Sequence, residues 1–278
     1  MRPDSPEPLV RLRAGLAELG PVVVAFSGGA DSALLARVAT DVLGPDRALA
    51  ITAVSPSLAP EDEADCAALA QEWGLRWRPV HTDELADPAY AANGGDRCYH
   101  CRSELLRALG PVAEAERATV ILGVHADDLG DDRPGQRAAL EAGARFPFVE
   151  AGLGKDDVRT ISRDLGLRTC DKPAAACLAS RVPTGTPVTL RVLDEVARAE
   201  SGLRALGFPA LRVRHHGELA RVELAPEDLA DAVQRRGEVV AAVRAAGYRH
   251  VTLDLTGLRP DARAVGAGDG GGASRVDG

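Results

Sequence analysis

The chain has 278 residues, 45% of them apolar, 27% charged and 3% aromatic, with a net charge of −8. That is the make-up of a globular protein with room for one large or two modest cores, and its acidity and few rings argue against an extended nucleic-acid surface. No run reaches the roughly eighteen apolar residues of a membrane span, and the polar start Met1-Arg2-Pro3-Asp4 lacks a signal-peptide core, so a cytoplasmic protein with reduced cysteines is expected.

Residues 9–19 read as a short helix ended by Gly20-Pro21. The β-branched run Val22-Val23-Val24-Ala25 then meets Phe26-Ser27-Gly28-Gly29-Ala30-Asp31-Ser32, and Leu34, Leu35, Val38, Ala39 and Val42 follow at helical spacing. This predicts a buried strand, a tight turn and an amphipathic helix. Glycines let the backbone approach an anion, and the helix N-terminus aims N–H groups at it. The turn fits neither the Walker A pattern nor GxGxxG. Ser27, Gly28, Gly29 and Ser32 are therefore candidate phosphate donors, while Asp31, which repels phosphate, is a helix cap or a magnesium ligand.

Strands over 48–54 and 75–80 flank a helix over 60–73. A polar loop, 87–96, leads to Cys98-Tyr99-His100-Cys101, then a helix over 102–109 and a strand over 118–123. Strands alternating with helices predict an α/β fold with a doubly wound, mainly parallel sheet and ligands at the strands' carboxyl ends. Gly123-Val124-His125-Ala126-Asp127-Asp128 leaves that edge, so Asp127 and Asp128 are either magnesium ligands or part of a solvated acidic loop with Asp131 and Asp132. A helix over 155–165 stops at Gly166. Residues 171–181 lack periodicity and are read as the passage between a nucleotide-binding domain, 9–173, and a smaller α+β domain, 174–260. The latter reads as a helix (189–206), strands (211–215 and 219–224), helices (227–246) and a strand (250–255). Residues 261–278 are expected to be a disordered glycine-rich tail.

Five cysteines in a reducing compartment point to metal binding, catalysis or burial. Cys98 and Cys101 have metal-ligand spacing, for zinc with four ligands or an iron–sulfur cluster with three or four, and Cys177 is the natural third thiolate if the fold brings it near. Cys66, on an apolar helix face, is read as buried, and Cys170 is left undecided with burial favoured. Arg212 and Arg214 alternate onto one strand face. They form either an oxyanion or phosphate clamp, with Glu200, Glu223 and Asp231 as orienting partners, or an ordinary charged surface.

The Ser27-Gly28-Gly29-Ala30-Asp31-Ser32 unit resembles the SGGxDS signature of the PP-loop ATP pyrophosphatases. Further motifs follow in order: Cys98-Tyr99-His100-Cys101, Asp127-Asp128 through Arg133-Pro134-Gly135, Lys172-Pro173, Ala176-Cys177-Leu178-Ala179-Ser180-Arg181 and Arg212-Val213-Arg214-His215-His216. Across residues 20–260 the set resembles the LarE family of ATP-dependent sulfur transferases. The resemblance implies ATP and Mg2+, with ATP bound by Ser27, Gly28, Gly29, Asp31, Ser32, Gly123 and Arg181, and with Asp31 and Cys177 catalytic. It implies a substrate, pyridinium-3,5-biscarboxylic acid mononucleotide, whose phosphate is held by Arg212, Arg214, Ser180, Glu200 and Asp231, in nickel-pincer nucleotide biosynthesis.

Sulfur in that family comes either from the cysteine matching Cys177, which becomes dehydroalanine, or from a 4Fe–4S cluster. Cys98 and Cys101 beside Cys177 favour the cluster. The resemblance also implies a homo-oligomer, commonly a hexamer, with no nucleic-acid or membrane partner. His125 stands where an asparagine is common, and Ala30 where valine is frequent. The rival readings are tRNA thiolation, amidation of the NAD-synthetase kind, and a nucleotide-sensing module. No nucleic-acid-binding module or glutaminase domain is visible, and a sensor leaves the cysteines and the arginine strand unexplained.

Overall fold

The alternating pattern folds as α1 (Glu7–Leu19), β1 (Val22–Ala25), α2 (Ala30–Leu43), β2 (Ala48–Val54), α3 (Pro60–Trp73), β3 (Arg76–His81), α4 (Pro88–Ala91), α5 (Arg97–Glu116), β4 (Thr119–Ile121), α6 (Pro134–Glu141), α7 (Pro147–Glu150) and α8 (Lys155–Asp164). The structure is a computed structural model and describes residues 7–130, 133–172 and 176–258. The four strands are parallel, in the order β3-β2-β1-β4, with Val22 level with Ala48 on one side and Thr119 on the other. Successive side chains of β1 face opposite ways. Val22 and Val24 pack with α1, α2, α3 and α8 through Leu12, Leu16, Leu34, Leu69 and Ile161. Val23 packs with Leu49, Ile51 and, from α5, Leu109 and Ala113. A central strand covered on both faces is the expected doubly wound arrangement.

Three differences from the sequence expectation bear on the site. The helix expected over 102–109 is α5, which begins at Arg97, so Cys98 and Cys101 lie in its first turns rather than before it. It also runs through Gly110-Pro111, because Leu109 and Ala113 anchor it to the sheet on either side of the one missing N–H. The loop over 87–96 contains the turn α4, whose start is capped by the Asp87 carboxylate accepting the Ala89 N–H at 2.9 Å. α6 and α7 were not anticipated; each opens on a proline, which suits a first helical position.

The chain divides into compact units 1–193 and 194–278, further along than the expected 173/174 boundary. The cause lies in residues 178–188, which are bonded back onto the first unit at Ser57, Ala91 and Asn93. α9 (Leu190–Ala205) leads into β5 (Leu211–His216), β6 (Leu219–Leu224), α10 (Leu229–Gln234), α11 (Arg236–Ala245) and β7 (His250–Leu253). β5 and β6 are antiparallel, and β6 and β7 parallel. Val213, Val222 and Leu224 face Ala199, Leu203 and Val243 in this unit's core, leaving Arg212, Arg214, Arg221 and Glu223 on the opposite sheet face. Asp131, Asp132, Pro173 and the expected tail at 261–278 lie outside the described residues. Among the described residues no helix is long and apolar enough to cross a membrane.

Candidate active site

The turn between β1 and α2 is shaped by its own hydroxyls. Ser32 Oγ accepts the Ser27 N–H at 3.2 Å, lies 3.1 Å from Ser27 Oγ and donates to the Gly29 carbonyl at 3.2 Å. Gly28 sits at φ +67°, and a Cβ there would fall 2.9 Å from Cys66 Sγ, so this position is closed to side chains on two grounds. Cys66 is buried as expected, directly beneath the turn. From the far side of the first unit, Lys172 Nζ donates to the Gly28 carbonyl at 3.1 Å and to Asp65 Oδ2 at 2.6 Å. The result is a closed turn at the start of a fourteen-residue helix, whose N-terminal N–H groups are of the kind that meet an anion. Asp31 makes no capping hydrogen bond; Gly29 is the N-cap residue.

β4 delivers a second group to the same edge. A Cβ on Gly123 would lie 3.0 Å from the Asp31 carbonyl carbon and the Ser32 nitrogen, so this glycine permits the close approach. Burial holds the Asp31 carboxyl above the usual range; the His125, Lys155 and Arg159 charges oppose that and Asp128 adds to it. His125 is buried, with Nδ1 lacking a hydrogen bond and Nε2 3.4 Å from Asp128 Oδ2. Asp127 Oδ2 accepts the Lys155 N–H at 2.6 Å, and Asp128 is paired with Arg133. Both carboxylates are thus engaged by the protein rather than merely solvated.

The Cys177 turn is seated on the segment leaving β2. The Leu178 N–H donates to the Ser57 carbonyl at 2.9 Å, and Ser57 Oγ is 2.7 Å from the hydroxyl of the buried Tyr90. Arg181 reaches back to the carbonyls of Ala176 and Cys177 and to Ser180 Oγ, winding the turn around its guanidinium. Arg97 Nη1 donates to Asn93 Oδ1 at 2.6 Å and to the Ala179 carbonyl at 2.9 Å, and Asn93 Nδ2 reaches the carbonyls of Pro183 and Thr186. Cys98 and Cys177 are exposed and Cys101 half-buried. Burial pushes the Cys101 thiol up to about 12, with the charges of Cys177, Glu84 and Cys98 adding to this and that of Arg102 opposing it. Among the described residues no three His, Cys, Asp or Glu side chains are already drawn together as a metal site.

In the second unit Arg212 is buried, and Glu223 Oε1 accepts from Arg214 Nε at 3.1 Å and Arg221 Nη2 at 2.9 Å. Glu200, wholly buried, accepts the Val213 N–H at 3.1 Å and so fixes the strand between the two arginines. Asp231 is engaged by Arg235 at 3.1 Å. Sequence reasoning missed Asn93, Arg97 and Glu84. Among the described residues Asn93 is one of two non-glycine residues at positive φ, and its Asn93-Gly94-Gly95 context was the available signal.

Residues 13–97 match the family model described as NAD synthase. The chain is 48% identical over 254 residues to the uncharacterized protein slr1717 of Synechocystis sp., covering 90% of this chain and 94% of that one. It is 38% identical over 249 residues to the pyridinium-3,5-bisthiocarboxylic acid mononucleotide synthase of Lactiplantibacillus plantarum, covering 89% and 90%. It is 26% identical over 251 residues to the uncharacterized protein MJ0830 of Methanocaldococcus jannaschii, covering 89% and 95%. With a serine–glycine turn at the carboxyl edge of a parallel sheet and likeness along nearly its whole length, the chain belongs to the LarE family of PP-loop, ATP-using sulfur transferases.

Proposed function

We infer that the protein adenylylates the carboxylates of pyridinium-3,5-biscarboxylic acid mononucleotide and replaces carboxylate oxygen with sulfur, as a step toward a nickel-pincer nucleotide. A carboxylate oxygen is a poor leaving group. Its attack on the α-phosphate of ATP forms an acyl-adenylate and releases pyrophosphate; a sulfur nucleophile then displaces AMP. The N–H groups of the Ser27–Ser32 turn face the charge developing on the phosphates. Asp31, raised by burial and lacking a capping role, fits a cation, and with Asp127 and Asp128 would hold Mg2+ to neutralise that charge. Arg181 and Gly123 border ATP, and Arg212 and Arg214 take the substrate phosphate, with Glu200 fixing the strand between them.

The observation that carries this reading is the seating of the Cys177 turn at Ser57, beyond the same sheet edge that bears the Ser27–Ser32 turn. Cys98, Cys101 and Cys177 offer the donor type an iron–sulfur cluster takes, three thiols, two of them one turn apart on α5. When bound by these residues, a 4Fe–4S cluster would supply transferable sulfide. The adenylylation half is tested by pyrophosphate release from ATP. Release that requires the pyridinium mononucleotide is expected; release that responds to tRNA alone, or ATP binding without AMP formation, contradicts it. The sulfur source is tested on oxygen-free protein, where about four irons per chain are expected. Iron-free protein that loses the mass of hydrogen sulfide from Cys177 on turnover contradicts the cluster.

A further inference from the structure

The peptide joining Gly28 to Gly29 lies in the middle of the turn after β1, and its own two residues do not fix which way it faces. Gly28 stands at φ +67° and Gly29 at φ −77°. Turning the peptide plane over exchanges the directions of its C=O and N–H and carries Gly29 to a positive φ, which glycine adopts about as readily as a negative one. The choice is made from outside the turn. Lys172 Nζ donates to the Gly28 carbonyl at 3.1 Å and to Asp65 Oδ2, on α3, at 2.6 Å. In a trans peptide the N–H points opposite to the C=O, so the Gly29 N–H is turned away from Lys172. Among the described residues it donates to no acceptor. Two of the three ammonium hydrogens are thus engaged by the protein, and Asp65 balances the charge. That engagement suits a brace on the turn rather than a ligand for an anion.

We propose that Lys172 is a positioning residue of the nucleotide site: by holding the Gly28 carbonyl, it keeps the Gly28–Gly29 peptide in the orientation that presents the Gly29 N–H, and not the carbonyl oxygen, to the phosphates of ATP. The proposal rests on reading this turn as the ATP site and adds what selects its working conformation.

The test is a double-mutant cycle in the full-length protein, with ATP affinity read by calorimetry and folding by thermal unfolding. An alanine at position 29 fits the observed φ of −77°, where its Cβ would meet nothing nearer than Ser27 Oγ at 3.5 Å, but it disfavours the turned-over peptide. Gly29→Ala therefore does by steric exclusion what Lys172 does by hydrogen bonding. Lys172→Met is expected to weaken ATP binding about three- to tenfold in the parent, because only the correctly turned fraction binds. In the Gly29→Ala background the same change is expected to leave ATP affinity as it was, and Lys172→Arg is expected to retain parent affinity. Asp65 keeps Arg168 as a partner at 2.7 Å, so the fold should hold; if Lys172→Met fails to fold, Lys172→Gln replaces it in the cycle. An equal loss in both backgrounds makes the lysine a direct phosphate ligand and overturns the proposal. A lowered Tm with unchanged ATP affinity makes it merely structural and does the same. The ligand-free crystal structure of Lys172→Met reads the peptide without ATP: the Gly28 carbonyl is expected turned over or in two orientations, and a single unchanged orientation overturns the proposal. A parent protein that binds no ATP refutes the nucleotide site itself, whereas parent and Lys172→Met proteins that bind it equally refute only the role given to Lys172.

Discussion

The Leu178 N–H donates to the Ser57 carbonyl at 2.9 Å, fastening the turn that carries Cys177 to the chain leaving the carboxyl end of β2. Ser57 is itself held by Tyr90, and the following residues by Asn93 and Arg97. A thiol otherwise exposed is thereby borne on a backbone fastened at Ser57, the arrangement that the proposed sulfur delivery requires.

Asn93 and Arg97 are expected to set that rigidity. Arg97→Ala removes the donor to Asn93 Oδ1 and the Ala179 carbonyl, and should lower stability by about 1–3 kcal/mol in urea unfolding. Cys177 should then alkylate faster while the ATP affinity stays close to that of the parent.

Gly28→Ala is expected to lower ATP affinity by about tenfold and to destabilise the fold by roughly 1–2 kcal/mol, because the turn needs a left-handed residue. Adding Cys66→Ala should relieve the crowding at Cys66 Sγ and recover part of the stability; calorimetry of ATP binding and thermal unfolding of both variants check this.

The Asp65–Lys172 pair predicts a pH dependence. Burial pushes the Asp65 carboxyl up, but hydrogen bonds from Lys172 and Arg168 outweigh it and hold the group below the usual range. A depressed folded value stabilises fully above the unfolded value of about 3.9 and is lost as pH falls through the folded one. The Tm difference between parent and Asp65→Asn should therefore stay constant near neutrality and shrink below about pH 4.

Arg214→Ala is expected to raise the KM for the pyridinium mononucleotide by about tenfold or more while leaving ATP-dependent steps intact at saturation. Glu223 keeps Arg221 as a partner, so the strand should remain folded, which circular dichroism checks.

β1 and β2 were legible because they are continuous apolar runs, and the ranges 48–54 and 60–73 coincide with β2 and α3. The shape of the turn after β1 was legible because Gly28 and Ser32 serve local geometry that neighbouring residues define. What joins distant stretches was not. Lys172 reaching Gly28, Arg97 reaching Ala179 and Leu178 reaching Ser57 depend on which loops meet at one sheet edge, and no periodicity encodes that. Gly110-Pro111 misled for the converse reason, since tertiary packing of Leu109 and Ala113 overrode a local stop signal.

The most direct measurement is a single-turnover assay of Cys177→Ala with ATP and the pyridinium mononucleotide, following AMP or acyl-adenylate and thiocarboxylate by mass spectrometry. The variant is expected to form adenylate at close to the parent rate and yield no thiocarboxylate. Thiocarboxylate formed at the parent rate would contradict the assignment of sulfur delivery to the Cys177 turn.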